Sequence, residues 1–370
     1  MKVLYLSKAL VVGSYQTKSE ALAALPDIEL TVAVPPSWRD ERGETPLERA
    51  HLKGYRLDVV PIRFNGNFHT HYYPTLGGLL DQLRPDLFHI DEEAYNFATF
   101  HAGWLAHRRR IPFLFFTWQN LARRYPFPFR LMERWVYAHA AHAIAGNREA
   151  AAVLTGKGFE KAIDVIPQFG VDPRLFPPRT EATDDEPRCI GYAGRFVPEK
   201  GLAVLLTALG QLKALKWRLT LRGSGPQAAE LRQLATQQAI ADRVEILPPL
   251  PSTQMVDFYR ACDIFVLPSL TQRNWKEQFG RVLIEAMASR VAVVGSDSGE
   301  IPHVIGDAGL VTPEGDSDAL SAALRRLLTD ETLRQTLADA GRQRVLQRFT
   351  QAAIAARTAS VYRRVGGRGV

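Results

Sequence analysis

Cysteine is scarce in the 370-residue sequence, which carries only Cys189 and Cys262. Both fall in or beside apolar runs, RCIGYAG and ACDIFVLPS, and read as small buried hydrophobes in a reducing compartment. Two cysteines build no disulfide framework, and neither they nor the nine histidines show the spacing of metal ligands. No apolar run approaches the roughly 20 residues of a membrane span. The opening MKVLYLSKALVVGS lacks a secretory signal's long apolar stretch and cleavage site, and reads as a first strand entering a loop. These absences predict a soluble, cytoplasmic chain. The formal net charge of +7 comes without any recognition motif for nucleic acid, so no nucleic-acid partner is expected. Short-period repeats and low-complexity tracts are missing as well.

What remains is an ordinary globular composition, 46% hydrophobic, 23% charged and 9% aromatic, in a chain long enough for two full cores. In the first half the β-rich runs KVLYLS, IELTVAVP, LDVVPIR, LFHID, PFLFFTW, AHAIAG and AIDVIP alternate with segments of helical length. Residues 168–187, QFGVDPRLFPPRTEATDDEP, are rich in proline and charge without periodicity, and read as a linker. The alternation restarts with RCIGYAGRF, WRLTLRG, RVEILPP, DIFVLPS, VAVVGS and GLVT. Near-continuous apolar strands between helices imply parallel sheets covered on both faces. The expected fold class is α/β, with two doubly wound, Rossmann-like domains facing across a cleft.

Ligands of such sheets bind beyond the carboxyl ends of the strands. In GYAGRFVPEKGLAVLLTAL a strand ends at Gly194-Arg195 and a helix begins near Gly201. Arg195 and Lys200 therefore flank a strand-to-helix turn beside free N–H groups, the chemistry a diphosphate needs. Two solvated surface cations would give the same pattern. In LTLRGSGPQAAEL, Gly223, Gly225 and Ala228 fit the loose pattern G-x-G-x-x-G/A, with Asp242 further on, which opens a nicotinamide oxidoreductase reading. Pro226 suits the first helical position, so a tight turn explains the same residues. The fingerprint also belongs after the first strand of its sheet, not the second. LPPLPSTQMVDFYRACDIFVLPS offers a helix capped by Ser252 or Thr253, and backbone around Pro249-Leu250 suited to the wall of a flat-base pocket.

The fourth group is WKEQFGRVLIEAM, with Glu277 and Glu285 separated by seven residues. On one helix they would stand about 80° apart in projection. Gly280 is a poor helix-interior residue, so the helix is predicted to start near it, leaving Glu277 in the preceding loop. Acids favour helix N-termini, which is the plain explanation of the pair. Carboxylates also accept bidentate hydrogen bonds from vicinal diols, and beside cations suited to a diphosphate the pair fits a nucleotide sugar better.

GRFVPEKG, RGSGP, DIFVLPS and EQFGRVLIEAM followed by VVGSDSGEIPHVI resemble, in order and spacing, the second domain of family 4 retaining glycosyltransferases of the GT-B fold. The resemblance spans nearly the whole chain and is sharp over residues 188–312. It implies an acceptor-binding domain over 1–173, a nucleotide-sugar domain over 174–347, and a helix over 348–370 crossing back to the first. Arg195 and Lys200 would hold the donor diphosphate, Glu285 the ribose hydroxyls, and Glu277 with the Phe279 and Gly280 backbone the transferred sugar. Catalysis falls to Arg195, Lys200 and Glu277. Gly13, Gly194, Ser224, Leu250, Val282 and Leu283 complete the implied donor site. The implied donor is a UDP- or GDP-sugar, with no cofactor and no metal.

The first domain departs from the family pattern. Only Gly13 stands where many members carry two glycines, Gln119 stands where many carry a histidine, and His303 replaces a usual acid. His89, Asp91, Glu92, Gln119 and Asn120, at strand ends facing the cleft, are the acceptor candidates. For His89 a core position is the plainer reading, and for Asp91, Glu92 and Glu93 a solvated loop. Residues 104–135 hold seven arginines against one acid, Glu133, and residues 345–370 add five arginines and no acid. Such faces suit an anionic membrane and a lipid-linked acceptor, with the chain peripheral to the inner face of the cytoplasmic membrane. A glycan or small-molecule acceptor is the other option. The expected role is transfer in cell-surface polysaccharide or glycoconjugate synthesis. A sugar-nucleotide epimerase, an NAD-dependent oxidoreductase and a non-catalytic nucleotide-sugar binder are the alternatives.

Overall fold

The computed structural model describes residues 1–40, 43–179, 187–251 and 254–367. These form two compact units, one of Met1–Phe169 with Gln351–Val370 and one of Gly170–Thr350.

The first unit is built on β1 (Lys2–Leu6), β2 (Glu29–Val34), β5 (Arg56–Val59), β6 (Leu87–Ile90), β7 (Phe113–Thr117), β8 (His142–Ala145) and β9 (Ile163–Val165). They form one parallel sheet in the order β5-β2-β1-β6-β7-β8-β9. Every strand expected here is present. A short antiparallel hairpin, β3 (Ser37–Asp40) with β4 (Gly43–Pro46), was not expected, because SWRD and GETP lack apolar alternation. The helices are α1 (Thr17–Ala23), α2 (Leu76–Leu83), α3 (Phe97–Arg108), α4 (Phe129–His139) and α5 (Arg148–Gly156). Val3, Tyr5, Leu30 and Val32 face one core, while Leu4, Leu6, Phe88 and Ile90 face the other, as the period of two demands.

In the second unit β10 (Arg188–Arg195), β11 (Trp217–Ser224), β12 (Val244–Leu247), β13 (Ile264–Leu267), β14 (Ala292–Ser296) and β15 (Leu310–Thr312) match the six expected runs. The order β12-β11-β10-β13-β14-β15 is again parallel throughout. Its helices are α6 (Leu202–Gly210), α7 (Ala228–Gln237), α8 (Met255–Arg260), α9 (Arg281–Ala288), α10 (Ile301–Ile305), α11 (Ser317–Thr329) and α12 (Glu331–Arg348). The last helix, α13 (Gln351–Gly366), belongs to the first unit, where it packs on α1.

Strand order reverses between β1 and β6 in one sheet and between β10 and β13 in the other. Those two switch points are where an open α/β sheet leaves a crevice for ligand.

Three local expectations change, and a fourth falls outside the described residues. The units divide at 169/170 and 350/351 rather than at 173/174 and 347/348. The linker reading does not extend over residues 170–179: Val171 bridges to Thr350, Phe176 is buried and Arg179 pairs with Asp263 at 2.8 Å, all within the second unit. Helix α7 begins at Ala228 with Gln227 as cap, so Pro226 lies ahead of the first helical position. Helix α8 is capped by Gln254, and the expected caps Ser252 and Thr253 lie outside the described residues.

Candidate functional site

At the switch point of the second unit, β10 delivers Arg195 to the carboxyl edge, with its side chain 59% exposed and 3.5 Å from Glu199. A 3-10 turn, Pro198–Lys200, then leads into α6. The Lys200 Nζ lies 2.6 Å from Glu277 Oε2, and Ser269 Oγ donates to the same oxygen at 2.9 Å. The Lys200 ammonium also sits 4.6 Å from the centre of the Trp275 ring. Two of the three expected catalytic groups, Lys200 and Glu277, are therefore each other's counter-ions, a contact the sequence did not foretell.

Helix α9 starts where expected. Gly280 is its cap at φ 74°, the left-handed region in which glycine alone is unstrained, and this sharp entry leaves Glu277 in the loop. Glu285 is nearly buried inside the helix. It accepts Arg281 Nε at 2.8 Å and the Tyr259 hydroxyl at 2.7 Å. Burial, and then the Glu285 carboxylate, push the Tyr259 hydroxyl well above its usual range, so it stays a donor. With one lone pair engaged on each oxygen, the carboxylate is fixed in place and keeps its remaining lone pairs for a diol.

A pocket of about 380 Å³ opens here, lined by Gly194, Arg195, Ser224, Leu250, Val282 and Glu285 among the expected residues. Arg222, Met255, Tyr259 and Arg281 also line it and were not foreseen. Arg222 was legible as a charge at the end of the otherwise apolar LTLRG, and Arg281 as the residue four before Glu285. Three guanidinium groups and one carboxylate line it, so the pocket suits an anion. Leu283 does not contact it: its side chain is fully buried and its N–H already donates to Gly280 at 2.8 Å. The glycines of RGSG have a packing cause, since a Cβ on Gly223 would stand 1.8 Å from the Gly194 carbonyl oxygen. Close approach of neighbouring strand ends accounts for the apparent dinucleotide fingerprint.

The switch point of the first unit carries a polar network on each face of the sheet. On one face Asp91 accepts the hydroxyls of Tyr5 (3.0 Å) and Ser7 (2.6 Å) and the Gln168 amide (2.9 Å). On the other, Glu92 pairs with Lys8 and accepts the Tyr73 hydroxyl at 3.1 Å, with His71 at 3.4 Å. Burial pushes the Glu92 carboxyl up, but Lys8 and His71 outweigh it and hold the group down at about 2. Glu93 accepts Thr117 Oγ1 at 2.6 Å and the Trp118 N–H at 2.8 Å, and desolvation lifts it to about 7.

These contacts correct two readings. Asp91 and Glu92 are buried structural acids, so the solvated-loop reading fails for both. His89 does not face a cleft: it is fully buried, stacked on Tyr5 at 4.6 Å and bonded through Nδ1 to the Tyr362 hydroxyl at 2.7 Å. Burial, then Lys18, hold its imidazole well below the usual range and hence neutral. Gln119 is half-buried and donates to the Tyr125 hydroxyl at 3.3 Å, and Asn120 donates to Glu149 at 3.5 Å. The Gly13 N–H is already taken by Glu48 Oε2 at 2.6 Å, so in this structure it offers no donor to a phosphate. Among the described residues no three His, Cys, Asp or Glu side chains are grouped to hold a metal ion.

Comparison with known proteins agrees with this geometry. Residues 177–344 match the family model of glycosyl transferases group 1, and residues 16–168 match that of the glycosyl transferase 4-like domain. The MMP alpha-(1->4)-mannosyltransferase of Mycolicibacterium hassiacum is 33% identical over 209 residues, 54% of this chain and 48% of the relative. The chain thus spans about half the length of the curated relatives it matches. Among solved structures, sucrose-phosphate synthase from Thermosynechococcus elongatus superposes with a TM-score of 0.73 at 22% identity, covering 100% of both chains. Anabaena HepE in complex with UDP superposes with a TM-score of 0.73 at 19% identity, covering 98% of this chain and 99% of the other. These two likenesses establish the fold as GT-B. With both halves matched in order and the fold shared throughout, the chain belongs to the family 4 glycosyltransferases.

Proposed function

We propose that the chain transfers a hexose from a nucleoside diphosphate sugar to an acceptor hydroxyl with retention at the anomeric carbon, in glycoconjugate synthesis. The observation that carries this reading is the pocket at the β10/β13 switch point. It has Arg195, Arg222 and Arg281 around a nucleotide-sized space with Glu285 fixed inside, while Lys200, in the turn that follows Arg195, pairs with Glu277 outside its lining.

Glu285 takes the ribose hydroxyls and Leu250 walls the base. Arg195 and Lys200 meet the diphosphate, so Lys200 exchanges Glu277 for phosphate when donor binds, and the released Glu277 carboxylate takes the sugar hydroxyls. The bond between the anomeric carbon and the diphosphate oxygen then breaks, and its electron pair leaves on the diphosphate. Charge grows where cations already stand, the kind of preorganised stabilisation that is usually the largest catalytic term. The acceptor oxygen bonds to the anomeric carbon on the departing face, and its proton passes to the leaving phosphate. On the acceptor side Gln119 and Asn120 are the contacts, while Glu93, bonded to Thr117 and the Trp118 N–H, holds the start of their loop. A donor with uracil or guanine base fits this reading, which is consistent with UDP in the HepE complex.

The test is a thermal-shift panel of UDP, GDP, ADP and TDP, followed by NMR of the product formed from the best donor. A ligand at 100 times its dissociation constant stabilises by roughly 2.7 kcal/mol, enough to rank the bases. An inverted product overturns the retaining step, and no shift with any diphosphate overturns the donor site.

A further inference from the structure

The seven-arginine stretch 104–135 is not one surface. Phe113–Thr117 is the buried strand β7, and Arg109 is tied to Asp81 through 2.7 and 2.8 Å bonds. In the basic C-terminal stretch Arg363 pairs with Asp27 and Arg364 with Asp164, while Arg357 donates to the Val165 carbonyl. What remains lies between β7 and the first turns of α4. There Tyr125 stacks on Tyr95 at 4.0 Å, and both Tyr125 (5.9 Å) and Phe129 (5.2 Å) contact the His69 ring. Between these two anchored rings Phe127 is 78% exposed, and Leu131 beyond them is 50% exposed. Arg123, Arg124, Arg130 and Arg134 are all exposed around them. The one acid of the segment, Glu133, is buried against Lys157.

An apolar tip held outward by inward anchors on either side, ringed by cations with no exposed acid, has the chemistry of a headgroup-depth contact. A protein partner would have to be both acidic and apolar over the same few residues, whereas an anionic bilayer presents phosphate above hydrocarbon everywhere. We propose that the Phe127–Leu131 tip inserts at the surface of an anionic phospholipid membrane, with Arg124, Arg130 and Arg134 on its phosphates. If the acceptor contacts proposed above hold, the same connection begins at Gln119 and Asn120, so a lipid-linked acceptor would arrive beside them. The docking itself does not depend on that reading.

The test is sedimentation of the full chain with phosphatidylglycerol or phosphatidylcholine vesicles at low and at ~0.5 M salt, where screening reaches within a few ångströms. Binding to phosphatidylglycerol at low salt, weakened by salt and absent with phosphatidylcholine, supports the proposal. Phe127→Ser with Leu131→Ser should lower the partition coefficient by roughly tenfold or more, the scale for withdrawing two apolar side chains from lipid. Arg124→Glu with Arg130→Glu should abolish the salt-sensitive part. An unchanged melting transition of the first unit shows that each variant is folded, and an unchanged thermal shift with the best nucleoside diphosphate keeps the donor site apart from the result. A chain that stays in the supernatant with both vesicles at low salt overturns the proposal. So does equal sedimentation of the parent and Ser variants, or a Ser variant that loses only turnover on a soluble acceptor, which would make Phe127 a sugar-stacking residue.

Discussion

Lys200 and Glu277 neutralise each other across 2.6 Å, so removing either has a consequence for the other. Glu277→Ala releases the ammonium from its competitor. Affinity for the nucleoside diphosphate should stay within about threefold or tighten, while turnover falls by roughly two to three powers of ten, the scale for losing one preorganised group. Lys200→Ala should lose turnover on the same scale and weaken the diphosphate as well. Isothermal titration with the diphosphate and initial rates separate the two. At the other carboxylate, Glu285→Ala should weaken diphosphate binding by about 1.5–3 kcal/mol, the range for hydrogen bonds to a charged group. It also strands the buried Tyr259 hydroxyl, so a Glu285→Ala/Tyr259→Phe double variant should recover stability without recovering affinity. A single variant that binds normally would return Glu285 to a helix-terminal charge. The spacing of the two acids was legible in the sequence, and so was the break at Gly280. Their partners Ser269 and Tyr259 were not, because they reach the two acids from elsewhere in the chain, and no local pattern encodes that meeting.

Among the elements, the strands were the most legible, since a parallel strand covered on both faces must be apolar along its whole length. Helix α1 shows the converse. TKSEALA carries Lys18, a residue type almost never fully buried, yet Lys18 is 1% exposed, over the rings of Tyr5 and Phe169. Burial, opposed by Asp91, lowers its ammonium to about 8. A base depressed on folding adds stability above its unfolded value near 10.5 and loses it as pH falls toward 8. Lys18→Met should therefore raise the melting temperature at pH 7 by several degrees and flatten the rise between pH 8 and 10.5. Glu93 has the opposite sign. Its folded value near 7 lies above the ordinary 4.5, so its stabilisation is complete below pH 4.5 and lost as pH rises through 7. With some solvent contact left to the residue, the loss is about 2 kcal/mol. Melting curves of Glu93→Gln should lack that slope, and an unchanged slope would locate it elsewhere.

For the whole molecule, the two-unit architecture was legible because the strand-helix alternation stops and restarts. The extent of each unit was less so, since residues 170–179 look like linker by composition and are held by contacts from far along the chain. Helix α13 closes the first unit, burying Ile354, Ala355, Ala359, Val361 and Tyr362 against Tyr5, Leu30 and Val32. Deleting residues 351–370 should strip one face of that sheet and leave the His89 Nδ1 without its hydroxyl partner. In calorimetry the first unit should melt early or not cooperatively. The second, which shares none of these contacts, should still be shifted by the nucleoside diphosphate. Two transitions that move together in the truncated chain would count against independent units.

The discontinuity of the first unit also orders events on the ribosome. Its first 169 residues emerge, and then the 181 residues of the second unit, 170–350, must be made before α13 appears. At roughly 5–20 residues per second that interval is about 10–40 s. Throughout it the sheet face around Tyr5 and Val32 lacks its covering helix, while the second unit is free to fold as soon as its own strands are out. The half proposed to meet the nucleotide is thus expected to mature first, and the half synthesised first to wait, open on one side, until α13 has been made.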